Sequence, residues 1–252
     1  MKAKAGVIPH RLLLAYRGED FFGWQRQDPY PTVQLALEQA LQKIYGRKIS
    51  VAGSGRTDRG VHALGQVASC ELPTLHSPRT LAKALNFHLP PGVRVLSVRQ
   101  EKAGFHARFS AKGKTYLYRI ANTDPQHPLE LGRSWHIPRP LNLAAMRRAA
   151  KTFVGRHDFA SFTSNPGYER QSTIRRIRSI RLSRKKDGVI EMVFDGDGFL
   201  YRMVRNLAGS IVKVGQGRLS TEDLKKILTN RSRAGAPPTA PAEGLYLFKV
   251  RY

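Results

Sequence analysis

"KISVAGSGRTDRGVHALGQVASCEL", residues 48–72, decides how the first part of the chain folds. Its two apolar stretches, "KISVAGSG" and "VHALGQVASCEL", read as strands on either side of a glycine-rich turn. The turn holds a single carboxylate, Asp58, with Arg56 and Arg59 at its sides. Upstream, "RLLLAYRG" (11–18) reads as a strand. "PTVQLALEQALQKIYG" (31–46) carries Val33, Leu35, Leu37, Ala40, Leu41 and Ile44 near helical spacing, with Pro31 at its start and Gly46 at its end. Downstream, "SPRTLAKALNFHL" (77–89) reads as a helix stopped by Pro90 and Pro91, and "VRVLSVRQ" (93–100) as a strand. The order is β-α-β-β-α-β.

The second half repeats that order. "KTYLYRIAN" (114–122) alternates as a strand, and "NLAAMRRAAKTFVG" (142–155) is an amphipathic helix. "TIRRIRSIRLSR" (173–184) and "VIEMVFDG" (189–196) form a hairpin across "KKDG". "LYRMVRNLAGSIVKVG" (200–215) and "STEDLKKILTN" (220–230) are helices, the latter opened by a capping-box pattern, Ser220 and Asp223. "RSRAGAPPTAPAEG" (231–244) is a loop and "GLYLFKVRY" (244–252) a closing strand. The expected class is therefore α/β (α+β), with two ferredoxin-like halves, 1–103 and 104–252, matched in element order but not in residues.

Charge separates this chain from an ordinary soluble domain. It has 43 Lys and Arg against 18 Asp and Glu, a net charge of +25, spread from Lys2 to Arg251. A positive body of that size points to a polyanionic partner, and nucleic acid is the commonest one. The one cysteine, Cys70, excludes an internal disulfide and reads as a small buried strand residue in a reducing compartment. No apolar run approaches membrane-spanning length, and "LLLAY" is too short for a signal peptide, so the expected setting is the cytoplasm with no membrane partner.

The glycine turn is not a nucleotide loop. Gly55 to Gly60 has P-loop spacing, but Val61 and His62 stand where Lys and Ser/Thr belong, and Gly53-Ser54-Gly55 does not extend to G-x-G-x-x-G. Taken alone, Asp58 is as well explained by an Asx turn, Arg56 by a solvated charge, and His62 by a satisfied strand residue. Other stretches point to RNA. "GFHARFSAKGKTYLYR" (104–119) interleaves Phe105, His106 and Phe109 with Arg108, Lys112 and Lys114, stacking surface beside phosphate contacts. "DGFLYRMVRNLAGSI" (197–211) sets Arg202 and Arg205 around a helix start, where an anion is favoured.

Taken together, "GSGRTDRGVHALGQV", "FHARFSAKGKTYLYR", "FLYRMVRNLAGSI" and "AEGLYLFKVRY" resemble the signature stretches of TruA-type tRNA pseudouridine synthases, in the family's order and roughly at its spacing. "GWQRQ" (23–27) fits as well, and the resemblance spans essentially the whole chain. It implies an isomerase that converts uridine to pseudouridine at adjacent positions on the 3′ side of the tRNA anticodon stem-loop. No metal and no organic cofactor is implied. The implied fold joins two α/β halves into one mixed, mainly antiparallel sheet with a basic central cleft, assembled as a homodimer. Asp58 matches the family's essential aspartate, Tyr116 the tyrosine packed on the target uracil, and Arg205 the arginine paired with the aspartate. Where the family usually has alanine after the aspartate, this chain has Arg59, which is expected to alter phosphate contacts near the site.

The chemistry agrees with these residue types. Breaking a nucleoside C–N bond builds positive charge at C1′, which a carboxylate stabilises or bonds to. The same carboxylate is alternatively placed to remove a proton from C2′ and give a glycal. Flanking arginines keep such a carboxylate ionised. A guanidinium fork suits Arg205 for holding it, and the Tyr116 hydroxyl is a candidate base for the C5 proton. Tyr118 is expected on the opposite strand face, as an ordinary aromatic. Arg56, Arg59, His106, Arg108 and Arg202 are the candidate RNA contacts. A catalytically silent RNA-binding protein fits the charge and aromatics equally well, but gives no reason for Asp58, Tyr116 and Arg205 to occur together. A nuclease would want a histidine pair or an acidic metal cluster, and the acids here are scattered.

Overall fold

In the computed structural model, residues 6–165 and 172–252 are described. The chain divides into two compact units. One takes the chain as far as Lys112 together with Leu247–Tyr252; the other is Gly113–Tyr246.

The first unit follows the expected order: β1 (Val7–Tyr16), α1 (Val33–Tyr45), β2 (Ala52–Gly53), β3 (His62–Pro73), α2 (Pro78–His88) and β4 (Val93–Gln100). β1 is central, antiparallel to β3 on one side and β4 on the other, with Leu12 opposite both Ala68 and Val98. Alternation buries His10, Leu12, Leu14 and Tyr16 on one face of β1, and Leu37 and Leu41 of α1 and Leu81 and Leu85 of α2 are fully buried as well. Each fully buried leucine contributes about 1.5–3 kcal/mol. Both helices begin on capping side chains: Thr32 Oγ1 accepts from the Leu35 N–H (3.3 Å), and Ser77 Oγ from the Thr80 N–H (3.2 Å).

One strand is much shorter than its sequence suggests. β2 is only Ala52–Gly53, antiparallel to Ala68 and Ser69 of β3. Ile49 and Val51 are buried core residues outside the ladder, so their apolar pattern reports burial and not strand pairing. Cys70 is buried on β3 as expected, and burial pushes its thiol pKa up to about 12.

The second unit contains β5 (Gly113–Ala121), β6 (Trp135–His136), α3 (Leu143–Lys151), β7 (Gly155–Asp158), β8 (Ile174–Arg184), β9 (Val189–Gly196), α4 (Met203–Gly215) and α5 (Thr221–Asn230). Its sheet runs β5-β9-β8-β7, all antiparallel, with β6 parallel to β5. The short strands β6 and β7 are additions to the expected order. α4 begins at Met203 and not at Leu200, because Arg202 takes a left-handed conformation (φ 57°) that ends the preceding turn. α5 carries the expected capping box, Ser220 Oγ accepting from the Asp223 N–H (3.0 Å) and Asp223 Oδ2 from the Ser220 N–H (2.9 Å). The last strand, β10 (Leu245–Arg251), begins in this unit. From Leu247 onward it belongs to the first unit, beside β3. No helix among the described residues is long and apolar enough to cross a membrane.

Candidate active site

Asp58, Arg56, Arg59, His106 and Arg108 belong to the first unit, and Tyr116, Arg202 and Arg205 to the second. The first group is built around the loop between β2 and β3. Asp58 is half-buried, between buried Thr57 and exposed Arg59. It opens a turn in which the Val61 N–H donates to the Asp58 carbonyl (3.1 Å), with Gly60 at φ 81° where a type II turn needs it. The turn therefore has a main-chain closure of its own.

Neighbouring elements hold this loop from several sides. The Trp24 N–H donates to the Thr57 carbonyl (3.0 Å), and the Gly60 N–H to the Gly18 carbonyl (3.2 Å). Thr57 Oγ1 shares a hydrogen bond with the Tyr16 hydroxyl (2.8 Å), whose pKa burial pushes up to about 12. Contact is so close that a Cβ on Gly23 would stand 2.5 Å from the Thr57 carbonyl oxygen, and Gly23 also has φ 86°. Only glycine meets both requirements. Behind the loop, buried Gln66 accepts from the Ser54 hydroxyl (2.7 Å) and donates to the Gly55 carbonyl (2.9 Å) and the Tyr16 oxygen (3.3 Å). His62 is the satisfied strand residue it was read to be: its Nδ1 accepts from the Gly18 N–H (3.0 Å), and it is buried.

Sequence reading missed Gln66, Tyr16 and Trp24 as supports. Trp24 and Gln66 lie within the family-like stretches, but nothing local shows their supporting role, because each bond joins positions far apart in the chain. Arg59 is the other surprise. Its guanidinium carbon lies 4.1 Å from the centre of the Phe22 ring, and Phe22 stacks on Tyr30 with centroids 4.3 Å apart at 16°.

His106 and Arg108 sit on a tight turn after β4. His106 Nδ1 accepts from the N–H groups of Arg108 (3.1 Å) and Phe109 (3.3 Å), so His106 holds the turn's shape. Its ring lies 4.4 Å from that of Phe109, and the Arg108 guanidinium is 5.5 Å from the Phe109 centroid. Phe109 is 77% exposed, an aromatic surface beside a cation, and the Ala107 N–H ties the turn to Ser69 of β3 (3.0 Å).

In the second unit Tyr116 lies on β5 opposite Phe194 and meets Phe199 edge-on, centroids 5.2 Å apart. It is 8% exposed, so its ring packs inward along most of its surface. Tyr118 shares that face, contrary to expectation, because strand residues two apart point the same way. It is fully buried opposite Met192, its hydroxyl donates to the Pro241 carbonyl (2.8 Å), and burial raises its pKa well above the usual phenol value. Arg205 is half-buried near the start of α4. Its Nε donates to the Ala240 carbonyl (2.7 Å) while the Ala240 N–H donates to the Arg205 carbonyl (3.2 Å), fixing the side chain's stem to the loop before β10. Arg202, exposed, precedes α4 with its guanidinium 4.9 Å from the Tyr201 ring centre.

Comparison with known proteins gives one family. The family model described as tRNA pseudouridine synthase matches residues 13–110 and 149–252. A tRNA pseudouridine synthase A of Methylacidiphilum infernorum is 48% identical over 246 residues, covering 98% of this chain and 96% of that protein. Another, from Rhodospirillum rubrum, is 41% identical over 247 residues, covering 98% and 88%. Among solved structures, an archaeal box H/ACA sRNP Nop10-Cbf5 complex has a chain matching at a TM-score of 0.36 with 11% identity, over 93% of this chain and 60% of that one.

Proposed function

The chain belongs to the tRNA pseudouridine synthase family, and on that premise we propose that it isomerises uridine to pseudouridine at adjacent positions on the 3′ side of the anticodon stem-loop, without a cofactor, through Asp58. The observation that supports this reading is the bracing of the Asp58 loop by neighbouring elements. Main-chain bonds from Trp24 and Gly18 and a side-chain bond from Tyr16 hold it on both sides of the carboxylate. A group fixed before the substrate arrives loses little on reaching the transition state.

The N1–C1′ bond of the target uridine breaks, its electron pair leaving with uracil. Asp58 then bonds to C1′, or takes the C2′ proton and leaves a glycal. Uracil turns, and C5 bonds to C1′, displacing the carboxylate or drawing the proton back to C2′. C5 then loses its proton, for which the Tyr116 hydroxyl is the assigned base, and N1 takes one up. Arg205 is assigned to hold the carboxylate of Asp58. Arg56, His106, Arg108 and Arg202 are assigned to the opened strand and its phosphates, and unstacking the target costs a few kcal/mol. The enzyme works as a homodimer in the cytoplasm.

The test is an unmodified tRNA transcript incubated with the protein in EDTA, with pseudouridine mapped by carbodiimide treatment and primer extension. Product at neighbouring uridines on the 3′ side of the anticodon arm is expected. Binding without product, under conditions with and without metal, would replace this reading with that of an RNA-binding protein.

A further inference from the structure

We propose that Tyr30, Phe22 and Arg59 form a stacking plane for an unpaired nucleobase, that of a nucleotide flanking the one Asp58 acts on. The inference rests on the function proposed above and adds a base-binding subsite to it. Two planar groups cannot share one face of a single ring at 4.3 Å and 4.1 Å, so Phe22 lies between Tyr30 and the Arg59 guanidinium. Tyr30 is 46% exposed and Arg59 is exposed, so the stack runs out to solvent.

The stack is anchored. The Phe22 N–H donates to the Pro31 carbonyl (2.8 Å), the Tyr30 N–H to the Gln27 carbonyl (2.8 Å), and the next residue, Gly23, packs on Thr57. Arg59 follows Asp58 directly in the chain, which ties the plane to the loop that carries the reacting carboxylate. The Arg59 guanidinium carbon sits over the Phe22 ring and Arg59 is exposed, so the guanidinium keeps its other face available. That face takes a nucleobase well, being planar and weakly hydrated. A surface arginine meant only for phosphate needs no ring beneath it. The expected reach of Arg59 to phosphate thus becomes the alternative outcome of the test.

The experiment compares wild type, Arg59→Lys, Arg59→Ala and Phe22→Leu on stem-loop RNAs that differ only in one flanking nucleotide, adenosine or an abasic site. The kcat/KM ratio is read at two salt concentrations. Separately, binding is followed by quenching of 2-aminopurine at the flanking position, which does not depend on turnover. Wild type should favour adenosine about tenfold, as one stacked base provides. Arg59→Lys and Phe22→Leu should bring the ratio below about twofold and weaken the quench, with Arg59→Lys leaving the salt slope unchanged. A ratio that survives Arg59→Lys would overturn the proposal. So would an equal loss on both RNAs in Arg59→Ala with a shallower salt slope, which would make Arg59 a phosphate contact. Arg59-dependent quenching without turnover by wild type would keep the subsite and sink the enzymatic reading.

Discussion

Replacing Gln66 with methionine removes the side chain that braces the Asp58 loop from behind. Methionine is unbranched and of similar size, so packing changes little. Gln66 is fully buried, and three long-range bonds disappear with its amide: from the Ser54 hydroxyl at 2.7 Å, to the Gly55 carbonyl at 2.9 Å and to the Tyr16 oxygen at 3.3 Å. A hydrogen bond contributes about 1 kcal/mol net, and a buried group stranded without its partner costs about 1–3 kcal/mol. Tyr16 keeps Thr57, and Gly55 is only half-buried, which holds the total to about 2–3 kcal/mol. For a chain of this size each kcal/mol lowers Tm by about 2–4 °C, so differential scanning calorimetry should show a fall of about 4–12 °C. Single-turnover rates should fall more than RNA affinity, because the loop that loosens carries Asp58. Gln66→Glu keeps the acceptor for Ser54 but sets an oxygen against the Gly55 carbonyl in a fully buried site, and should cost at least as much. A Tm within about 1 °C of wild type together with full turnover would refute the claim that this network holds the loop.

Gly23→Ala forces a Cβ to within 2.5 Å of the Thr57 carbonyl at φ 86°. Left-handed strain alone costs about 1–2 kcal/mol, and rapid-quench kinetics should show about a tenfold slower step with RNA affinity kept. Ser220→Ala breaks a capping box remote from the loop, and should cost about 1 kcal/mol, or about 2–4 °C in Tm by calorimetry, with turnover unaltered. The Cys70 thiol, pushed up to about 12 by burial, is almost wholly protonated at neutral pH. Because a raised pKa favours the thiol until pH approaches that value, Ellman's reagent should label the folded protein negligibly at pH 8 and completely in urea. Prompt labelling of the folded protein would contradict its burial.

Local chemistry made much of the fold legible. The Ser220 and Asp223 capping pattern marks the start of α5, and Pro31 and Gly46 bracket α1. What was hidden depends on contacts distant in sequence. "KISV" is apolar because Ile49 and Val51 fill the core, and periodicity does not separate that from a strand. The return of Leu247–Tyr252 to the first unit is set by pairing with β3, which no local period encodes. The misplacing of Tyr118 broke the two-residue period itself. At the candidate site, the motif picked out Asp58, but the supports from Tyr16, Trp24 and Gln66 are legible only in three dimensions. Arg59 was visible as a departure from the family pattern, yet its rest on Phe22 was not, since 37 positions separate the two.

The central claim is that Asp58 does chemistry and does not merely shape a turn. It is tested most directly by tritium release from tRNA labelled at uridine C5, wild type against Asp58→Ala, with filter binding of both. Release by wild type alone, at similar affinity for the two proteins, is the predicted result. Release by both proteins would contradict the role given to Asp58, and release by neither, from tRNA that both bind well, would contradict the activity itself.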